Sequence, residues 1–255
     1  MTNIYSLALF RSQSSGYESP RAGTSQGIFF SNFIPTVIRA FRVVWGGWEL
    51  RIHHDERVKD RECWPLLDRC QRAGLLKLIP MGESMALCRS MLWRIEPLKD
   101  ARVEWVVCRD VDSLPMHRDR KMVEAAIAAG AKTHLLLDSE SHSGLMGGMS
   151  SFHVDTWKHF ATSTYAGIDM DKHGADQHYL NREIWPHVKA QTLIHQRRRD
   201  IQYPDVMKTL PVAPQETPLD KVVRHVGAGF DRVKALEVMK EFYPDPEFDD
   251  IENAK

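Results

Sequence analysis

Charge of either sign is not in excess in this 255-residue chain, where 34 Lys and Arg stand against 34 Asp and Glu. No global field therefore draws it to DNA, to an anionic membrane or to a basic partner. Cysteine is scarce: Cys63, Cys70, Cys88 and Cys108 fall in segments that read as helix or strand and lack paired CxxC spacing, which argues against a zinc site and for reduced thiols in a cytosolic compartment. No apolar run approaches the roughly 18 residues of a membrane span. The N-terminus, with Arg11 and a Ser/Gly stretch soon after Phe10, lacks a signal-peptide pattern. The expectation is a soluble, cytoplasmic protein. No internal repeat is found, which sets solenoids aside.

What is present is alternation. Residues 4–10 form an apolar run of strand length, followed by a polar loop at 12–26. Ser31 and Asn32 are good helix caps, and Phe33, Ile34, Val37, Ile38, Phe41, Val44 and Trp45 keep helical spacing until Gly46-Gly47. Trp48, Leu50 and Ile52 alternate with polar residues toward a tip at His53-His54-Asp55. The pattern repeats with a helix at 66–73 closed by Gly74, a strand at 75–79, a helix at 85–95, a strand at 103–108, a helix at 121–129 and a strand at 133–137. With 43% hydrophobic residues, one α/β domain over 1–243 is expected, its central sheet mostly parallel and flanked by helices. Residues 244–255 are acidic and poor in large apolar residues, so they read as a flexible tail. The tryptophans Trp45, Trp48, Trp93, Trp105 and Trp157 fit amphipathic segments and read as core.

Acidic residues cluster at predicted strand ends: Asp55, Asp110, Asp112 and Asp138. In open parallel sheets the ligand lies beyond the carboxyl ends of the strands. Two carboxylates one residue apart at the end of a buried strand are costly unless paired, and a hard divalent cation completed by substrate phosphate is the simplest partner. A bare DxD also occurs as a solvated or helix-capping turn.

Arg109, Asp110, Asp112 and Ser113 together form an RDxDS motif, and in it the chain resembles bacterial and viral GT-A glycosyltransferase-like proteins. The resemblance continues through His134, Asp138 and His142, the turn Met146-Gly147-Gly148-Met149, Asp176-Gln177 with Leu180, Ile184 and Trp185, and His195. It covers residues 100–200 in motifs. It departs at Leu137, where the family often has arginine, and at Ser150-Ser151, where it usually has tryptophan-glycine.

The resemblance implies a GT-A (Rossmann-like) fold and transfer of a sugar from a nucleotide-diphosphate sugar to a hydroxyl acceptor, with Mn²⁺ or Mg²⁺. It implies Asp112 as a metal ligand, Asp110 on metal or ribose, and His195 as a third ligand. His225, in His225-Val226-Gly227-Ala228-Gly229, rivals His195, because its glycines would let backbone amides approach a phosphate and glycogenin-type enzymes place a similar histidine late in the chain. Gly147 and Gly148 would permit close approach to sugar or acceptor, or simply make a tight turn. Asp138 and Asp176 are the candidates for sugar hydroxyls or a general base, with a helix N-terminal charge as the plainer role of Asp176. Asp55 and the loop at 11–15 would lie near base and ribose, and Arg109 near the nucleotide.

Two other classes compete. Asp-Val-Asp-Ser-Leu after an apolar strand also resembles the nucleophile loop of haloacid-dehalogenase-type phosphatases, with Asp110 as nucleophile and Asp112 as acid/base. That loop normally follows the first strand of its domain, whereas about 100 residues of α/β pattern precede Asp110 here. A non-catalytic nucleotide-sugar-binding protein would keep the pocket alone. A nucleic-acid acceptor is a lesser alternative, raised by the basic residues Arg118, Arg120, Lys121 and Arg197 to Arg199.

Overall fold

The computed structural model describes residues 1–10, 33–83, 87–198 and 200–254. The expected caps Ser31 and Asn32, the loops at 11–15 and 12–26, Met85 and Arg199 lie outside the described residues. Eight strands form one sheet: β1 (Thr2–Leu9), β2 (Glu49–His54), β3 (Lys77–Pro80), β4 (Val103–Cys108), β5 (Thr133–Leu137), β6 (Ser150–His153), β7 (Thr192–Gln196) and β8 (Lys208–Pro211). Their order is β3-β2-β1-β4-β6-β5-β7-β8. Neighbours run parallel throughout except β6, which is antiparallel to both β4 and β5. The helix-flanked, mostly parallel sheet expected of this sequence is therefore present.

Both faces of the sheet are covered, which is why its strands read as near-continuous apolar runs. On one face Tyr5, Leu7, Leu50, Ile52 and Val107 pack with Ile34, Val37, Ile38 and Phe41 of α1 (Ile34–Val44), Leu67 of α2 (Trp64–Arg72) and Met122 of α4 (His117–Ala128). On the other, Ile4, Val106, Leu135, Leu137 and Phe152 meet Leu92 and Leu98 of a 3₁₀ stretch, Leu92–Lys99, that prolongs the short α3 (Leu87–Met91). Pro97 lies within that stretch, where it has no N–H to donate to the helical ladder. The same face holds α5 (Trp157–Thr162) and a continuous run of α6 (Ala175–Tyr179), a π turn (Leu180–Ile184) and α7 (Trp185–Val188). Trp45 and Trp105 are buried, as their amphipathic setting implied.

Two expectations are corrected. Residues 150–153, to which no element was assigned, form β6, a short strand whose register pairs Ser151 with His134 and with Val107. The acidic segment read as a flexible tail is helical: after α8 (Arg232–Phe242), α9 spans Pro246–Asn253. Asp245 caps α9 by accepting the Phe248 N–H at 3.1 Å, and Phe248 is fully buried. The acids that suggested solvation are ion-pair partners. Arg39 contacts Asp249 and lies 3.0 Å from Glu252, Arg42 reaches Asp245 at 2.5 Å and Glu247 at 2.7 Å, and Arg69 donates to the Ile251 carbonyl at 2.9 Å. The Arg39 guanidinium, buried itself, also lies over the Phe248 ring at 4.9 Å.

Candidate active site at the carboxyl edge of the sheet

The chain adds β2 and then β3 on one side of β1 and begins again with β4 on the other. The crevice of a parallel sheet opens at such a reversal, outside the carboxyl ends of the two strands. Asp110 and Asp112 follow β4 at this point, in a turn closed by the Ser113 N–H donating to the Asp110 carbonyl at 3.0 Å. Because β6 is antiparallel, its amino end shares this edge, and Gly147 and Gly148 immediately precede it.

Gly148 is tied to Asp110 by space. A Cβ on Gly148 would fall 2.1 Å from Asp110 Oδ2, so a backbone without a side chain is what admits the carboxylate there. A Cβ on Gly147 would stand 3.5 Å from Asp176 Oδ2 and 3.8 Å from Arg94 Cζ. Five residues from four separate segments thus converge: Arg94, Asp110, Gly147, Gly148 and Asp176.

Arg94 is the member that motif reading does not reach. It projects from the 3₁₀ stretch, is buried, donates through Nε to the Met91 carbonyl at 2.6 Å and forms an ion pair with Asp110. Burial alone would lower its proton affinity, but the charges of Asp110 and Asp176 outweigh this and raise it. Asp176, in the first turn of α6, is buried, and burial raises its carboxyl against the opposing pull of Arg94. Burial, then the like charge of Asp110, pushes the Asp112 carboxyl up to about 6. Asp110 keeps 46% of its side chain exposed, so the pair faces solvent on one side.

Carboxylates are the donor type of a hard divalent cation. Two adjacent carboxylates, one with its proton affinity raised by the other, gain from a shared cation, and Mg²⁺-type sites draw their remaining ligands from water and phosphate. No group of three His, Cys, Asp or Glu side chains able to hold a metal occurs among the described residues. His195, proposed as third ligand, is buried with its Nδ1 2.9 Å from His134 Nε2. It lies on the same face of β7 as Leu193, which packs against Ala126 of α4, and burial lowers its pKa to about 4. His225 is half-buried, its Nδ1 3.0 Å from the Val226 carbonyl and its ring perpendicular to that of His142 at 5.2 Å. Gly227, at φ 82°, lies against Met149 and His142, so segment 225–229 borders the glycine turn.

The other predicted site residues face inward. Arg109 is fully buried in a two-pronged pair with Asp119, Nε at 2.9 Å and Nη2 at 2.6 Å, and Nη1 donates to the carbonyls of Cys108 and Ser150. These bonds hold β4, β6 and α4 together, so Arg109 is engaged as scaffold. Asp55 is buried at the end of β2, accepting from the Arg57 N–H at 2.8 Å and Arg57 Nε at 2.9 Å. Asp138 is fully buried between Arg118 and Arg197.

The basic clusters are largely neutralised: Arg118 and Arg197 by Asp138, Arg120 by Glu124, Lys121 by Glu216 and Arg198 by Asp200. All four cysteines are buried and free, and burial raises each thiol, Cys108 to about 12. Among the described residues no helix is long and apolar enough to cross a membrane.

No protein-family model matches the chain, and no curated protein matches its sequence. Solved structures do. S. aureus TarS 1–349 is 13% identical with a TM-score of 0.46, over 98% of this chain and 69% of that one. The mannosyltransferase PcManGT from Pyrobaculum calidifontis, in complex with GDP-Man and Mn²⁺, is 12% identical with a TM-score of 0.46, over 98% and 67%. The 4-diphosphocytidyl-2C-methyl-D-erythritol synthase from Anaerococcus prevotii is 11% identical with a TM-score of 0.42, over 76% and 87%.

Proposed function

We propose that the protein is a metal-dependent glycosyltransferase of the GT-A type, moving a sugar from a nucleotide-diphosphate sugar to a hydroxyl acceptor. The observation that carries this reading is the pair Asp110 and Asp112 at the point where strand order reverses, with Gly148 giving way to Asp110 across the crevice. Asp110 and Asp112 would hold Mn²⁺ or Mg²⁺, with His225 the remaining candidate for a third ligand because His195 is packed against His134. The cation supplies charge neutralisation for a departing diphosphate.

The chain's own residues do the rest. Arg94 orients Asp110 and balances its charge with that of Asp176. Gly148 leaves the room that the Asp110 carboxylate takes, and Gly147 lies beside Asp176 and Arg94. In the transfer, the bond from the anomeric carbon to the diphosphate oxygen breaks, a bond to the acceptor oxygen forms, and the acceptor proton passes to a base. Of the two aspartates suited to that base or to the sugar hydroxyls, Asp176 is assigned here, because both oxygens of Asp138 are already engaged. Proximity and preorganised charge carry most of such catalysis.

The neutralised basic clusters argue against a nucleic-acid acceptor, leaving a glycan or lipid-linked hydroxyl as the acceptor class. The phosphatase alternative would need Asp110 as a free nucleophile, whereas it is paired with Arg94. The test is calorimetric titration with a panel of nucleotide-diphosphate sugars in Mn²⁺, repeated with chelator. Metal-dependent binding of one donor supports the reading. Failure of every donor, with hydrolysis of a generic phosphate ester, would replace it by the phosphatase.

A further inference from the structure

Asp138 directly follows β5 and has no exposed surface, and its hydrogen bonds account for its whole carboxylate. Oδ2 accepts the Val226 N–H at 2.7 Å and lies 2.5 Å from Arg118 Nη2, while Oδ1 accepts from Arg197 Nη2 at 3.1 Å. The two arginines bring in other parts of the chain. Arg197, just beyond β7, donates through Nε to the Asp138 carbonyl at 2.8 Å and through Nη2 to the Arg224 carbonyl at 3.2 Å. Arg118 opens α4, and its backbone N–H donates to Asp220 at 3.1 Å. The ends of β5 and β7, the start of α4 and the stretch from Asp220 to Val226 therefore meet at one buried carboxylate.

A carboxylate so enclosed cannot take a ligand hydroxyl without losing a charged partner, and hydrogen bonds to charged groups are the costlier ones to lose. The sequence neighbours of its partner Val226, by contrast, do border the site. His225 and Gly227 flank Val226, and Gly227 rests on Met149 and His142 next to the glycine turn that admits Asp110.

We propose that Asp138 is a positioning residue: with Arg118 and Arg197 it forms a charge node that fixes segment 224–227 over the carboxyl edge, setting where His225 and Gly227 stand. The functional consequence rests on the glycosyltransferase reading, but the structural one does not. The node couples the segment to the rigid sheet, so the wall of the site behaves as part of the core.

The test pairs hydrogen–deuterium exchange with calorimetry. In Asp138→Asn, which keeps the size and removes the charge, peptides covering 222–230 should exchange roughly tenfold faster, with 103–115 and 175–184 unchanged. Arg197→Gln, at a half-exposed position, should give the same local effect if Asp138→Asn fails to fold. Exchange unaltered at 222–230, or raised evenly over the chain, overturns the proposal. With UDP and GDP, each in Mn²⁺, Asp138→Asn should weaken binding about tenfold, and this loss should vanish when His225→Ala is already present. An equal loss in both backgrounds makes Asp138 a ligand contact instead. If the unsubstituted protein binds neither nucleotide, the donor panel decides the function proposal and the exchange result decides this one.

Discussion

At Gly148 one methyl group is enough to meet Asp110, and Arg94 holds that carboxylate from the other side. Gly148→Ala should therefore weaken Mn²⁺-dependent nucleotide-sugar binding by about tenfold or more. The unfolding midpoint should fall modestly, because an Asp110 carboxylate pushed outward leaves its pairing with buried Arg94; calorimetry and thermal unfolding of the same variant check the two halves separately. Asp112→Asn should abolish the metal dependence with the fold intact, and full turnover by it in a chelated assay would sink the metal role. Arg94→Met removes the counter-charge of Asp110, which solvent partly screens, so the loss should be about 1–2 kcal/mol, below that of a fully buried pair. Urea unfolding should show it as a lowered midpoint. Of these residues, Asp110, Asp112, Gly147 and Gly148 were legible because their spacing is local. Arg94 was not, since an arginine on a short helical stretch looks like any solvated charge until the fold sets it against Asp110 and Asp176. Arg109 misled in the reverse sense: it belongs to the motif in sequence but turns inward to Asp119.

Among the elements, the central alternation was read from periodicity because both sheet faces are covered by helices whose apolar stripes repeat clearly. Beyond residue 137 several elements escaped, α5, β8 and α8 among them, and two show why. β6 has four residues and begins with two serines, too short and too polar to announce a strand. α9 was hidden by composition, since acids that read as solvated are the counter-ions of Arg39 and Arg42, and the anchor Phe248 is one large residue among them. Phe248→Ala should cost about 3–5 kcal/mol, the range for a buried phenylalanine truncated in a packed core. Chemical denaturation would measure it. A loss below about 1 kcal/mol would mean that the helix contributes little to the core it covers.

Over the whole molecule, protonation should set the acid limit of stability. Burial holds His53, His142 and His195 down at about 4, against an ordinary 6.5. Between these values the unfolded chain takes up protons that the folded chain refuses, so stability falls as pH drops from about 6.5 to about 4, by up to roughly 3 kcal/mol for each histidine. Asp112, raised to about 6, acts in the opposite sense, gaining stability over part of the same window. Three imidazoles against one carboxyl predict a net loss, read as a lower denaturant midpoint at pH 5 than at pH 7.5. Replacing His195 with glutamine should flatten the slope. None of this was visible in the sequence, where a histidine's depth in the sheet is not written.

The pairing of Arg39 with Asp249 spans 210 positions. At roughly 5–20 residues per second of synthesis, about 10–40 s separate the appearance of that guanidinium from the arrival of its carboxylate. During this interval helix α1 cannot settle fully onto β1 without a cation lacking its counter-charge. A nascent chain of this protein would thus hold helix α1 unfinished in the cell, open to chaperones, until Asp249 has been made.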